Sequence, residues 1–401
     1  MNQKIIKDPV HGYVELEDFT LSLLDSPALQ RLRYVKQLGF SYLVYPGANH
    51  TRFEHSLGTM FLADLASRRF GLDEDERRLV TAAALLHDIG HGPFSHASEP
   101  LMEEFLHRTH DEIDGIVEDR VGGLLRLSGI DAGELCSVVK GKHSLSAIIH
   151  GDLDVDRMDY LLRDAYYTGA PYGMVDAQRL IRHLVRTPEG TVLDENGINA
   201  AESLLIARTL MRPAVYYHHV SRIAESMFQL AVLEHVKNGP ADATSSLLQL
   251  DDATCLHTLM NSKNPVARDL AGDLYARRLY KRALYAGSDQ VNTPVFHAGV
   301  SIEKCREYAD EIAHKAGILP QEVLVDIPSI PREISLGVRV KNRDAVVSLE
   351  EISPRARTLN ETRRDQWRLG VYTLPRHREI VAEAGTEVLH LKKPTRQDTL
   401  F

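Results

Sequence analysis

Between Leu79 and Ile89 the chain reads LVTAAALLHDI, apolar on nearly every side of a helix. A helix without a polar face cannot lie on a surface, so other elements must cover it all round. That demand sets the fold class: layers of helices around a buried central one. The residues before it, DEDE at 73–76, suit the positive end of a helix dipole. Gly90, Gly92 and Pro93 then stop it. At 401 residues the chain is long enough to bury such a core. With 43% hydrophobic and 26% charged residues it has the composition of a soluble globular protein.

The surrounding sequence supplies the layers. SPALQRLRYVKQLG (26–39) enters on Ser-Pro and stops at Gly39, which predicts a helix. HSLGTMFLADLASRRFG (55–71) and DVDRMDYLLRDAYYTG (154–169) predict two more, each closed by glycine. Residues 100–150 read as further helices, and 199–239 as a long helical stretch interrupted at Pro213. GYVELED near the start and HLVRTPEGTVLDENG at 183–197 alternate like short hairpins. After about Tyr285 the texture changes. EVLVDIP, LGVRVKN, AVVSLEEIS, RLGVYTL and TEVLHL are strand-like, with helices expected around 301–316 and 376–384. The reading is a mainly α protein, with a helical body at 1–285 and a smaller α+β portion at 286–401.

Charge and cysteine usage narrow the function class. A formal net charge of −9 argues against a chain built to coat nucleic acid, but leaves room for a local basic pocket that takes a nucleotide. The basic tail LHLKKPTRQ is short and reads as a solvated end. Cys136, Cys255 and Cys305 are far apart and form no CxxC pair, which predicts neither a disulfide framework nor a thiolate zinc site. No apolar signal core opens the sequence, and no run approaches the roughly 18 apolar residues of a spanning helix. A cytoplasmic, reducing setting with no membrane partner is the expectation.

Chemistry concentrates where the apolar helix ends, in LLHDIGHGPFSH (85–96). A lone His-Asp pair is usually an orienting contact. A buried carboxylate, however, persists only when paired or bound to a metal. His55 stands at the start of one predicted helix and Asp156 in the first turn of another. If these helices pack together, His55, His87, Asp88 and Asp156 bring two imidazoles and two carboxylates to one point. That mixture suits Mn, Fe, Mg, Co or Zn, as one ion or as two bridged by a carboxylate. His91 and His96 lie past the glycine break and His110 beyond them, as candidates for ligation or proton transfer. Such a metal can lower the pKa of water and neutralise phosphoryl oxygens. Arg52, Arg157, Arg163 and Arg208 are candidate phosphate clamps. Each arginine taken alone is equally well a solvated or salt-bridged side chain.

These stretches, together with DPVHGYVEL (8–16) and SPALQRLRYVKQLGFSYLVYPGANHTRFEHSLG (26–58), resemble the HD-domain metal-dependent phosphohydrolases. They are most similar to the deoxynucleoside triphosphate triphosphohydrolases related to the vertebrate SAM-and-HD-domain protein. The similarity runs in order from about Lys4 to about Lys281, with no room for a separate SAM domain. The resemblance implies His55, His87, Asp88 and Asp156 as metal ligands, and His91, His96 and His110 as catalytic or supporting histidines. His96 is then the proton donor to the leaving 5′ oxygen. Glu99 stands where the family has an aspartate, which leaves its orienting role less defined. Gln37 and Leu38 match residues that touch the sugar, and Tyr160 and Asp164 match partners of the 3′ hydroxyl. Tyr216 matches the ring that crowds the 2′ position and so selects deoxyribose. Arg52, Arg157 and Arg208 match phosphate contacts, with Arg157 replacing a lysine and Tyr217 replacing a glutamine.

The resemblance also implies a guanine-nucleotide activator site (GTP or dGTP) at Asp25, Gln30 and Arg33, completed by Lys4, Ile5, Arg277, Leu279 and Lys281. In relatives that site forms between subunits, which implies a dimer or tetramer. A helix bearing Asp, Gln and Arg is equally well an ordinary solvated face. A second, adjacent activator pocket is poorly matched, since Arg179 is present but Ala200 replaces a polar residue. The expected reaction is hydrolysis of a dNTP to deoxynucleoside and inorganic triphosphate. Two alternatives stay open: an HD phosphohydrolase acting on another nucleotide or phosphoester, and a non-catalytic nucleotide-sensing oligomer.

Overall fold

The structure, a computed structural model, describes residues 4–187, 190–237, 239–240, 242–291, 296, 300–329, 338–342 and 345–392. The chain opens with an antiparallel hairpin of β1 (Lys4–Asp8) and β2 (Gly12–Leu16), turned at Gly12. Two long helices follow. α1 (Arg52–Phe70) starts on a capping box in which the Thr51 N–H donates to Glu54 Oε2 at 2.6 Å. α2 (Glu74–Leu86) starts on Asp73, which accepts the Glu76 N–H at 2.9 Å. α2 is the apolar run of the sequence. Its Val80 and Ala82–Leu86 have no exposed surface. Burying each leucine contributes about 1.5–3 kcal/mol.

α1 packs on α2 along one side and on α5 (Val155–Thr168) along another. Between them come α3 (Glu99–Leu106) and α4 (Ala132–Val139). Gly58 permits the α1–α5 approach: a Cβ there would lie 1.9 Å from Asp159 Oδ1. The predicted long stretch is α6 (Ile198–Met211) and α7 (His219–Val236), separated by a π-helical turn at Arg212–Tyr216 that absorbs Pro213. α8 (Asp252–Met260) and α9 (Pro265–Tyr275) pack beside α7.

The remaining strands join distant parts of the chain. β3 (Leu184–Thr187) and β4 (Gly190–Asp194) form the second predicted hairpin. β4 pairs in parallel with β7 (Arg339–Asn342), which pairs with β8 (Ala345–Ser348). β5 (Lys281–Gly287) straddles residue 285 and joins β9 (Arg368–Thr373) and β6 (Val323–Asp326) in a sheet of order β5-β9-β6. α10 (Ile302–Ala316) and α12 (Arg378–Val388) pack with this sheet, while α11 (Pro354–Asp365) lies on α6.

Two expectations are corrected. The helix predicted over 26–39 is only Pro27–Arg31 with a 3₁₀ turn at Leu32–Tyr34. Beyond it the backbone N–H groups are taken elsewhere: Lys36 donates to Asp252 and Gln37 to the His50 carbonyl. TEVLHL is not a strand; its first three residues close α12. There Val381, Ala384, Gly385 and Val388 are buried at helical spacing, which outweighs the short alternation. All three cysteines are free thiols. Among the described residues no helix is long and apolar enough to cross a membrane.

Candidate active site

The helix ends meet where the sequence concentrates histidine and aspartate. His55 lies one turn into α1, His87 caps α2, Asp88 follows it, and Asp156 sits in the first turn of α5. Asp154 starts α5 by accepting the Arg157 N–H at 2.8 Å, which presents Asp156 to the α1–α2 junction. His55 Nε2 is 3.0 Å from Asp156 Oδ1 and 3.7 Å from Asp88 Oδ2. His87 Nε2 is 3.4 Å from Asp88 Oδ1 and 3.9 Å from Asp156 Oδ1.

These residues fit a divalent ion. Ligand atoms that each bind an ion at roughly 2.1 Å stand roughly 3–4 Å from one another. His87 donates Nδ1–H to the Ala84 carbonyl at 2.7 Å, which leaves Nε2 as a lone-pair donor. That Nε2 is buried and has no hydrogen-bond partner among the described residues. Burial further lowers the basicity of His87, which keeps the ring neutral for ligation. His55 is held by the opposite balance. Against the burial that would lower it, its bonds to Asp156 and Asp159 raise it to about 10, so an ion bound at Nε2 would have to displace a proton. Asp88 stays ionised despite burial, because Arg52 Nη1 lies 2.6 Å from its Oδ2.

Sequence reasoning did not assign the groups that hold His55. Asp159 Oδ2 accepts from His55 Nδ1 at 2.7 Å, and its Oδ1 lies 2.6 Å from His11 Nε2. Arg163 grips the same carboxylate through Nε and Nη2, and reaches Asp8 through Nη1 at 2.8 Å. Arg163, a candidate phosphate clamp, is therefore fully buried and spent on this network.

The three further histidines form a second group beside the first. His91 and His110 stack with ring centroids 3.9 Å apart, and His96 stands edge-on to His91 at 5.1 Å. A Cβ at Gly90 would lie 2.1 Å from the His110 carbonyl, so glycine there lets the two segments meet. Glu99 does orient a histidine: its Oε1 lies 2.8 Å from His110 Nδ1. Against burial, that contact raises His110, while burial and Arg52 hold His91 well below the usual range. His96 stands beside these rings and is an exposed residue. Desolvation and the charges of Arg52 and His110 lower it.

The residues matched to the sugar lie on and opposite α5. Asp164 accepts from Tyr216 OH at 2.8 Å, and its other oxygen lies 2.8 Å from His50 Nε2. Tyr160 and Tyr216 stand edge to face at 5.9 Å. Gln37 is buried with Oε1 unpartnered among the described residues, and Leu38 is half-buried. Arg52 also receives no partner at Nη2, whereas Arg157 is paired with Asp154. Arg157, Arg208 and Tyr217 line a cleft of about 1130 Å³ that His55, His87 and Asp88 do not line.

The activator residues are less gathered. Arg33 Nε donates to Gln30 Oε1 at 2.8 Å, and Asp25 is exposed nearby. Among the described residues no hydrogen bond or ion pair links them to Lys4, Ile5, Arg277 or Lys281, which are exposed on other elements. Leu279 is buried in the core around α7. Arg179 donates to the Asn196 carbonyl at 3.5 Å, and Ala200 is buried.

Residues 52–164 match the HD domain, and residues 175–400 match the HD associated region. An uncharacterized protein of Methanocaldococcus jannaschii is 34% identical over 380 residues, 92% of this chain and 79% of its own. The deoxynucleoside triphosphate triphosphohydrolase SAMHD1 homolog of Dictyostelium discoideum is 29% identical over 383 residues, 86% of this chain and 70% of its own. The crystal structure of a hypothetical protein from Aquifex aeolicus superposes with a TM-score of 0.78 at 30% identity, covering 95% of this chain and 99% of that one. With both family regions matched in order and the metal-binding pattern in the HD part, the chain belongs to the HD-domain phosphohydrolases that carry the HD associated region, the SAMHD1-like family.

Proposed function

We propose that this HD-family hydrolase cleaves deoxynucleoside triphosphates into deoxynucleoside and inorganic triphosphate. One observation carries the reading: Asp156, Tyr160 and Asp164 follow one another a turn apart on α5, so one helix face runs from the candidate metal ligands to the Asp164–Tyr216 pair matched to the sugar. The similarity to the Dictyostelium triphosphohydrolase supports it. His55, His87, Asp88 and Asp156 would hold one or two divalent ions. When bound, such an ion supplies a Lewis acid and lowers the pKa of water.

The chain's own residues account for the rest. Asp164 bridges Tyr216 and His50 and keeps an acceptor toward a 3′ hydroxyl. The Tyr216 ring, fixed by that bond, fills the space a 2′ hydroxyl would need and offers it no partner. Arg52 Nη2 and Arg208 face phosphate oxygens. His96 protonates the leaving 5′ oxygen. The triphosphate's negative charge raises its basicity toward neutrality, and the charged His110–Glu99 pair behind it sets its field. The activator set on Asp25, Gln30 and Arg33 would be completed by the exposed Lys4, Ile5, Arg277 and Lys281 of another copy, in a cytoplasmic homo-oligomer, whereas Leu279 is held in the core.

The test is product analysis of each dNTP and NTP with Mg, Mn, Fe, Co or Zn, alone and mixed with GTP or dGTP. Deoxynucleoside together with inorganic triphosphate is the expected pair. Release of single phosphates, or binding without turnover in every metal, rejects the reaction. Turnover that rises on adding a second nucleotide supports the activator site.

A further inference from the structure

Arg31 ties the loop after His87 and Asp88 to a second cavity, apart from the metal cluster. It ends the short Pro27–Arg31 helix. Its Nη1 donates to the Leu250 carbonyl at 2.9 Å, and its Nη2 donates to the carbonyls of Ile89, at 3.2 Å, and His91. Those last two carbonyls flank Gly90. Arg31, Ile89 and Gly90 also line a cavity of about 380 Å³, a volume that suits a small molecule. None of His55, His87, Asp88 and Asp156 lines it, and neither do Asp25, Gln30 and Arg33.

Two further arginines face this cavity. Arg108 follows α3, and Arg120 sits on a π-helical turn at Val117–Val121. Such turns are rare and collect at functional sites; another, at Arg212–Tyr216, carries the ring matched to the sugar. Among the described residues neither Arg108 nor Arg120 makes a hydrogen bond or an ion pair, and Arg31 bonds only to carbonyls. Asp119 is the acid that lines the cavity. Asp252 and Asp251 act on Arg31 from the start of α8, but Asp252 accepts from Lys36 N and Phe94 N, and Asp251 from Thr254 N. Three guanidinium groups thus share the cavity with one carboxylate. Burial, then the field of Arg120, lower Arg31 to about 10. Leu106, Ile116 and Leu248 supply an apolar wall.

We propose that this cavity binds a phosphate-bearing small molecule through Arg31, Arg108 and Arg120, and that the bound anion steadies the Ile89–His91 loop through Arg31. Guanidinium groups present paired donors in a plane, which suits the oxygens of a phosphate. Arg31 already holds both carbonyls that flank Gly90. An anion between the three arginines removes the repulsion that Arg120 and Arg108 exert on Arg31, and so firms its hold on the loop. The proposal goes beyond the triphosphohydrolase reading and does not depend on which nucleotide the metal cluster cleaves.

The test is calorimetric titration of the full chain, with metal chelated, using inorganic phosphate in one series and deoxyadenosine monophosphate in another. Wild type is expected to bind at least one of them, and Arg108→Gln and Arg120→Gln should each weaken that binding about tenfold or more. Binding of inorganic phosphate alone assigns a free ion; tighter binding of the monophosphate assigns an ester that uses the apolar wall. Hydrogen exchange of the backbone over residues 85–98 should slow when the probe binds wild type and stay unchanged in Arg120→Gln. Arg120 is exposed, so its variant keeps the test open even where Arg108→Gln does not fold. Wild-type affinity in Arg120→Gln, or no binding of either probe by wild type, overturns the site. Arginine-dependent binding that leaves exchange over 85–98 unchanged overturns its tie to the loop.

Discussion

At the scale of single residues, the metal cluster depends on which nitrogen each histidine presents. His87 is committed by its bond to the Ala84 carbonyl, so Nε2 is the only atom it has for an ion. His87→Ala should therefore abolish bound metal and hydrolysis together, read by elemental analysis and product chromatography; full turnover by the metal-free variant would remove the metal from the reaction. His55 is oriented through Asp159. Asp159→Asn keeps the shape but weakens acceptance from His55 and His11, and outer partners of this kind are worth about 10–100-fold in metal affinity or activity. A metal titration that leaves Asp159→Asn equal to wild type would show that the α1–α5 packing alone aims the ring. The gathering of the four candidate ligands was legible in the sequence because each sits at an end of a predicted helix. His11 and Asp159 were not, because their contact spans 148 positions and carries no local pattern. Glu99 was legible only through resemblance, and the structure supplies what that left open: it holds His110.

At the scale of elements, the loop from Gly90 to Ser98 decides where His96 points, and it is held from outside. Phe94 and Ser95 both have φ of 56°, an uncommon conformation for side-chain-bearing residues. Asp252, at the start of α8, accepts from Phe94 N at 2.6 Å and from Lys36 N at 2.9 Å. Ser95 Oγ donates to the Lys36 carbonyl at 2.6 Å and accepts from Arg52 Nε at 2.7 Å, and Arg52 continues to Asp88. Asp252→Ala would orphan two backbone N–H groups, costing about 1–3 kcal/mol for each that water does not reach. It should also release two left-handed residues. The expected result is a kcat lowered about tenfold or more with KM raised as well, because Lys36 adjoins Gln37 and Ser95 holds Arg52. A loss of melting temperature with kcat intact would make Asp252 merely structural. The sequence showed the glycine break but not this anchor. For the same reason it overextended the 26–39 helix: Asp252 and His50 claim backbone groups that a local pattern assigns to the helix ladder.

At the scale of the whole molecule, the sheets carry what the sequence could not order. Individual strands were legible from alternation, but the parallel pairing of β4 with β7 and of Leu193 with Val340 has no local signal. The helical body and the later strands share apolar contacts and are also joined by an ion pair where α7 meets β6. There Arg222 serves two carboxylates, donating through Nε to Asp326 at 2.9 Å and through Nη1 to Glu225 at 2.7 Å, while Tyr372 OH donates to Asp326. Tyr217 and Tyr285 add no charge near neutrality, so one guanidinium faces two acids. Burial outweighs Arg222 at Glu225, and Asp326 adds repulsion, so the Glu225 carboxyl is pushed up to about 7 from an ordinary 4.5. The folded protein then keeps a proton that the unfolded chain releases between those values. The stabilising contribution is whole below the unfolded value and is lost as pH rises through the folded one. Wild type should thus lose stability relative to Glu225→Gln between about pH 5 and about pH 8, by up to about 3 kcal/mol. Thermal melting of the two proteins across that range checks it. Parallel profiles would mean that Arg222 satisfies both carboxylates and that the junction between the helical body and the strands is indifferent to pH.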